Sequence, residues 1–219
     1  MIDLHTHTYY SDGALGPAEL IQRAHDFGYQ AVALTDHADA SNLEWIIERV
    51  QLACKEANKY LSIRTLFGVE LTHNPPEIIP ELVTRARKAG AQIVSVHGES
   101  LWEPVLPGTN AAAVRSDIDF LAHPGLITLD DAQEAAQRNI CLEISARKGH
   151  SLTNGYVAKI AKQVGAKLIL NTDSHSHQDF INDALARNIL LGAGIPESDI
   201  SGIFQNSREI VKKFFPDLI

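Results

Sequence analysis

Short apolar runs alternate with amphipathic runs along nearly all of the 219-residue chain, and this alternation constrains the fold more than any other feature. "MIDL", "QAVALTDH", "IRTLFGVEL", "AQIVSVH", "IDFLAHP", "ICLEIS" and "AKLILNTD" read as strands, near-continuously apolar as in a parallel sheet. Helical segments lie between them. "GPAELIQRAHDFG" has Pro17 at its start and Gly28 at its stop. Ser41 and Glu44 form an S-x-x-E pattern, which predicts a capping box opening a helix to about Tyr60. Its inner face is Leu43, Ile46, Ile47, Val50 and Cys54. Further helices are predicted from about Ile78 to Lys88 and in "NAAAVRS", "LDDAQEAAQR" and "GYVAKIAKQVG". The C-terminal remainder reads as helix with turns around Gly192, Pro196 and Gly202.

Seven strand-then-helix units imply an α/β fold, a parallel sheet covered by helices. A doubly wound dinucleotide binder would carry G-x-G-x-x-G after its first strand, where "HTHTYYSDG" stands instead. No G-x-x-x-x-G-K-[ST] phosphate loop occurs either. The reading therefore favours a TIM-like barrel; the length is tight for eight units and suits seven. Nothing resembles a linker, repeat or low-complexity tail, so a single domain over residues 1–219 is expected.

The formal net charge of −8 argues against an extended basic platform for nucleic acid but leaves a small phosphorylated substrate open. No apolar run approaches the ~20 residues of a membrane span, and the N-terminus does not read as a signal peptide. Cys54 and Cys141 fit reduced core thiols of a cytoplasmic protein better than a disulfide framework.

The titratable residues follow the strand register. His5 and His7 end the first strand, where positions i and i+2 share a side, and Asp12 lies in the loop beyond. His37 ends the second strand, Glu70 the third, His97 the fourth and His123 the fifth; Asp173 and His175 end the seventh. Singly, each has an ordinary explanation: Asp36 and its neighbour at a helix cap, Glu70 as a surface charge, Asp173 in an Asx turn. Together, six of the ten histidines fall where the strands of a barrel converge on one mouth. Imidazoles and carboxylates gathered there point to divalent metal of the Zn, Mn or Fe kind. Arg147, Lys148 and His150 follow the sixth strand, which offers no metal ligand in this reading, and are candidate substrate-binding groups. His73 and His177 lie in loops on the same face with no assigned role, and His25 reads as a solvated helical residue.

The ordered set "DLHTHTYYSDG", "ALTDH", "GVEL", "VSVHGE", "FLAHP" and "NTDSH" closely resembles the PHP (polymerase and histidinol phosphatase) superfamily over residues 2 to about 180. The resemblance implies a distorted (β/α)7 barrel that binds three divalent metals and hydrolyses phosphoesters. It further implies that His5, His7, Glu70 and Asp173 hold one ion. Glu70 would bridge to a second ion on His97 and His123, and Asp12, His37 and His175 would hold the third. The catalytic group it implies is a metal-bound water, with no protein nucleophile. The leading expectation is a phosphatase acting on a small phosphomonoester such as histidinol phosphate. Hydrolysis of a phosphodiester, a nucleotide or a nucleic-acid end is the alternative, and a non-catalytic barrel subunit is a third reading, which the complete ligand set disfavours. The oligomeric state is not legible.

Overall fold

Strands apolar on both sides need helices over one face and a filled interior against the other. The computed structural model, which describes residues 1–218, meets both needs. Its strands are Ile2–Asp3 (β1), Ala31–Leu34 (β2), His37–Ala38 (β3), Arg64–Leu71 (β4), Ile93–His97 (β5), Phe120–Ala122 (β6), Cys141–Ser145 (β7) and Leu168–Asn171 (β8). Its α-helices are Pro17–Asp26 (α1), Leu43–Tyr60 (α2), Ile79–Lys88 (α3), Thr109–Val114 (α4), Leu129–Gln137 (α5), Asn154–Val164 (α6), Asp183–Gly192 (α7) and Glu197–Lys212 (α8). The strands pair in parallel in the order β1-β2-β4-β5-β6-β7-β8, a nearly closed, distorted TIM-like barrel.

The seam between β1 and β8 is thin. Beyond the two strands, Thr6 opposes Ser174 in a single parallel bridge, and the His7 amide donates to Ser174 O at 2.8 Å. The Leu4 amide donates to a side chain, Asn171 Oδ1, at 2.9 Å.

"QAVALTDH" is broken rather than continuous: β2 ends at Leu34, and β3 pairs with β4 so that His37 opposes Glu70. Thr35 and Asp36 leave the ladder because the first loop uses them. The Thr35 amide donates to Thr6 O at 2.9 Å, and Asp36 Oδ1 accepts from the Thr8 amide at 2.8 Å and from Ser11 Oγ at 2.7 Å.

Period-two alternation sorts the strand residues. Leu142 and Ile144 of β7 join the layer between sheet and helices, whereas Cys141 faces the barrel interior with Leu4, Ala31, Ala33, Leu66, Ile93, Phe120 and Ile169. Ile210 and Val211 of α8 close the bottom. Gly68 lets β4 and β5 approach; a Cβ there would stand 1.8 Å from Ile93 O. The interior apolar plug puts a dry floor under the mouth, and Phe120 lies 5.8 Å from the His5 ring. Truncating so fully buried a phenylalanine to alanine costs about 3–5 kcal/mol.

Two local expectations fail. The Ser41/Glu44 capping box does not form: α2 starts after Asn42, with no side-chain cap. Ser41 Oγ instead donates to Asp39 Oδ1 at 2.6 Å, and Glu44 forms a two-pronged pair with Arg85 of α3 at 2.8 and 2.9 Å. Nor does Gly202 mark a turn; it lies within α8. Burial of Ile200, Ile203, Ile210 and Val211 along that helix outweighs the ~1 kcal/mol that a mid-helix glycine costs.

Candidate metal centre

All nine side chains that the sequence singled out as ligands converge on the C-terminal mouth. With His150 as a tenth residue, they fall into overlapping groups whose donor atoms lie within 4.8 Å of one another: His7, Asp12, His37 and His175; His5, His7 and Glu70; His5, His123 and Asp173; His97, His123 and His150. The imidazoles are crowded, with ring centroids 5.0 Å apart for His5 and His7, and 4.2 Å for His7 with either His37 or His175.

Glu70, fully buried, sits at the middle. Its Oε1 is 3.3 Å from both His5 Nε2 and His123 Nε2, and its Oε2 is 2.8 Å from His37 Nδ1. Asp173 Oδ1 faces His7 Nε2 at 3.1 Å. Asp12 lies at the outer edge, 53 % exposed, with Oδ2 3.1 Å from His175 Nε2. The backbone bends unusually to present two of these groups: His123 has φ +24° and Asp173 φ +52°, a region that costs non-glycine residues energy and is tolerated mainly at functional sites.

Among the described residues, six buried polar atoms here have no hydrogen-bond partner: His5 Nε2, both ring nitrogens of His7, Glu70 Oε1, His123 Nδ1 and Asp173 Oδ1. Leaving a polar atom so inside a fold costs about 1–3 kcal/mol unless a ligand takes its lone pair. Imidazole nitrogens mixed with carboxylate oxygens are the donor set of Zn, Mn and Fe. The protonation states agree. Burial, with His37 and His175 alongside, holds the His7 ring well below its usual value. Burial and His97 push His123 down to about 3. Both rings are neutral at pH 7, the form that donates a lone pair. His5 differs: burial lowers it, but Glu143, Glu70 and Asp173 together hold it well above its usual value.

The sixth strand adds a residue that the sequence reading did not single out. Glu143 of β7 is fully buried and faces the barrel interior, with Oε1 2.8 Å from His5 Nδ1 and Oε2 accepting the His123 amide at 2.9 Å. Asn171 Nδ2 donates to the same Oε1 at 2.8 Å. The signal was an acid at an inward position of the apolar run "CLEIS". Asp36 does not cap α2; it braces the loop that carries Asp12. His150 is buried in the cluster, its ring stacked on His123 at 3.9 Å. Arg147 is partly buried beside the cluster; Nη1 donates to Asp173 O at 3.2 Å, and Nε lies 3.7 Å from Asp173 Oδ2. Lys148, His73 and His177 are exposed, and His25 is partly exposed against Ser62.

A sequence model of the PHP domain matches residues 3–165. The chain belongs to the PHP domain family. This PHP chain is 44 % identical to an uncharacterized protein of Methanocaldococcus jannaschii over 214 residues, covering 96 % of this chain and 98 % of that one. It is 26 % identical to a probable phosphatase of Thermoanaerobacter over 243 residues, covering 97 % and 96 %. It is 28 % identical to the DNA polymerase/3'-5' exonuclease PolX of Bacillus subtilis, where it covers 80 % of itself but spans only 34 % of the polymerase. The PHP fold recurs in histidinol phosphate phosphatase of Lactococcus lactis, solved with zinc, L-histidinol and phosphate (TM-score 0.61, 17 % identity, 89 % and 94 % coverage). It recurs also in a chain of archaeal ribonuclease P (TM-score 0.72, 17 % identity, 100 % and 94 % coverage). Family membership places this PHP protein among metal-dependent hydrolases of phosphoester bonds. Among the described residues, no helix is long and apolar enough to cross a membrane.

Proposed function

We propose that this PHP chain hydrolyses a small phosphomonoester, of the histidinol phosphate kind, at a centre of three divalent ions. The observation that carries the reading is the set of overlapping donor groups around six buried, unpartnered polar atoms. His5, His7, Glu70 and Asp173 would hold one ion, Glu70, His97 and His123 a second, and Asp12, His37 and His175 a third. When bound, such ions supply Lewis acidity, lowering the pKa of water from ~15.7 towards ~7 and neutralising phosphoryl charge.

The chain's own residues do the positioning. Glu143 fixes the orientation of His5 through Nδ1, and Gly98 O does the same for His97 at 3.0 Å. Phe120 and the apolar plug below exclude water from beneath the cluster. Arg147, held against Asp173 at the edge of the cluster, supplies a planar donor fork for phosphate oxygens, and exposed Lys148 adds a point charge. The buried, unpaired thiols Cys54 and Cys141 are in keeping with a reducing compartment such as the cytoplasm.

One observation favours a second reading, hydrolysis of nucleotides or nucleic-acid ends. Trp102 is 59 % exposed and packs over Gly149 beside the cluster, a surface on which a base can stack.

The test is a substrate panel with protein loaded with Zn, Mn or Fe: histidinol phosphate, glycerol phosphate, nucleoside monophosphates, and a bis-aryl phosphodiester. The proposal expects fastest phosphate release from an aliphatic monoester, abolished by chelation. A preference for the diester or for nucleotides would select the second reading. Bound metal without turnover of any member would leave a non-catalytic barrel.

A further inference from the structure

His97 does not face the carboxylate that the family pattern assigns to it. Among the described residues, Glu70 approaches His5, His7, His37 and His123 within 4 Å, whereas His97 Nε2 has Glu103 Oε2 at 3.1 Å. The other oxygen, Glu103 Oε1, lies 3.5 Å from His150 Nε2. One carboxylate thus spans two imidazole nitrogens, with the His123 ring stacked on His150 and edge-on to His97 at 4.3 Å.

The far side of the His97 ring fixes what its other nitrogen presents, and the hydroxyl beside His150 allows the same. His97 Nδ1 lies 3.0 Å from Gly98 O, a group that only accepts, so in the neutral ring Nδ1 carries the proton and Nε2 the lone pair. His150 Nδ1 lies 2.6 Å from Ser100 Oγ, which already accepts the Trp102 amide at 3.1 Å and keeps a second lone pair for the imidazole N–H. Donated in that direction, the proton leaves Nε2 of His150 a lone pair as well. Histidines anchored through one nitrogen by a carbonyl or hydroxyl, with the other aimed at a shared carboxylate, are arranged as metal ligands are.

We propose that His150 and Glu103 are metal ligands that complete, with His97 and His123, an outer ion site on the rim of the cluster. The inference rests on the multi-ion reading above and extends it by two residues, Glu103 from a loop and His150 from the start of a short 3-10 helix. The loops are locked to each other before any ion arrives. Gly149 has φ +93°, and a Cβ there would stand 2.4 Å from Trp102 Cδ2, so the Trp102 ring lies directly on the backbone that presents His150. Three imidazoles and Glu103, added to the Glu70 bridge of the multi-ion reading, make a donor set of the kind zinc accepts. His150 is thereby removed from the substrate groups, leaving Arg147 and Lys148 for the phosphate.

The test reads metal, not turnover. Protein loaded with zinc and dialysed at fixed free zinc is assayed by elemental analysis, with far-UV circular dichroism as the check on folding. Glu103→Gln, isosteric and at a side chain 34 % exposed, is the primary variant, and His150→Ala the second. Each is expected to lose about one zinc equivalent per chain, or to need 10–100-fold more free zinc to regain it. With cobalt in place of zinc, both variants should alter the visible absorption of the loaded protein. Wild-type zinc content and an unchanged cobalt spectrum in both variants would overturn the proposal. If His150→Ala fails to fold, Glu103→Gln decides. A wild-type chain that holds no more than one ion would instead defeat the multi-ion reading itself.

Discussion

Glu143 Oε1 lies 2.8 Å from His5 Nδ1, with both side chains wholly buried beneath the mouth of the barrel. The contact fixes the His5 ring so that Nε2 points to Glu70 and Asp173, at 3.3 and 3.6 Å. A carboxylate behind a metal-ligating histidine sets its tautomer and raises its basicity.

Glu143→Gln keeps the size but loses the charge, and its amide cannot accept from both His5 and the His123 amide while Asn171 also donates to it. Metal affinity should fall about 10–100-fold with the fold intact. A zinc titration followed by elemental analysis checks this; unchanged affinity would reduce Glu143 to a packing role.

Glu70→Gln should harm kcat/KM more than Asp12→Asn. Glu70 is buried between His5, His37 and His123, so neutralising it disturbs several donor groups at once. Asp12 is 53 % exposed and serves the outermost group alone. Steady-state kinetics with parallel metal analysis separates the two, and equal, small losses would remove the bridging role of Glu70.

Arg147→Ala should weaken substrate phosphate binding while metal content stays at the wild-type level. A charge-assisted contact contributes about 1.5–3 kcal/mol, roughly a ten- to hundredfold fall in kcat/KM. Arg147→Lys should recover part of it, because the ammonium keeps charge but loses the fork. The loss should be larger for a monoester dianion than for a diester. Full activity in the alanine variant would make Arg147 a bystander of Asp173.

What the sequence made legible was the part that strand periodicity governs. All the ligand candidates but Asp12 lie at or just beyond the end of a parallel strand, so a count of apolar runs located His5, His7, Glu70, His97 and His123 at one mouth. Glu143 escaped because it is an acid inside an apolar strand, where only the inward-facing parity of Cys141, Glu143 and Ser145 sets it apart. Glu103 escaped, and His150 was legible only as a substrate group, because both lie on connections whose paths depend on packing such as Trp102 over Gly149. The Ser41/Glu44 pattern misled for a related reason: both side chains had better partners, Asp39 and Arg85, that local spacing does not reveal.

The two thiols give a prediction in pH. Burial pushes Cys54 and Cys141 each up to about 12 from an ordinary 9.0. The folded chain then holds thiol protons that the unfolded chain releases between pH 9 and 12, so this contribution to stability is full below about pH 9 and declines as pH rises through that window. At pH 8 a thiol-reactive disulfide reagent should label neither residue until guanidinium unfolds the chain, after which both should react. Rapid labelling of the native protein would contradict this burial.

The thin seam between β1 and β8 turns the candidate metal centre into a device for closing the chain on itself. His5 and His7 stand on one side of it and Asp173 and His175 on the other, while the backbone joins the two sides by a single bridge and few hydrogen bonds. Ions shared across that line would act as a cross-link over a loop of more than ~100 residues; in the chain-entropy account a covalent link of that span withholds about 4–5 kcal/mol of disorder from the unfolded state. Assembly of the barrel would then proceed outward from its better-paired middle strands, with the first and last strands riveted late. In metal-stripped protein, the amides of Leu4 and His7 should be the first in the barrel to exchange with solvent.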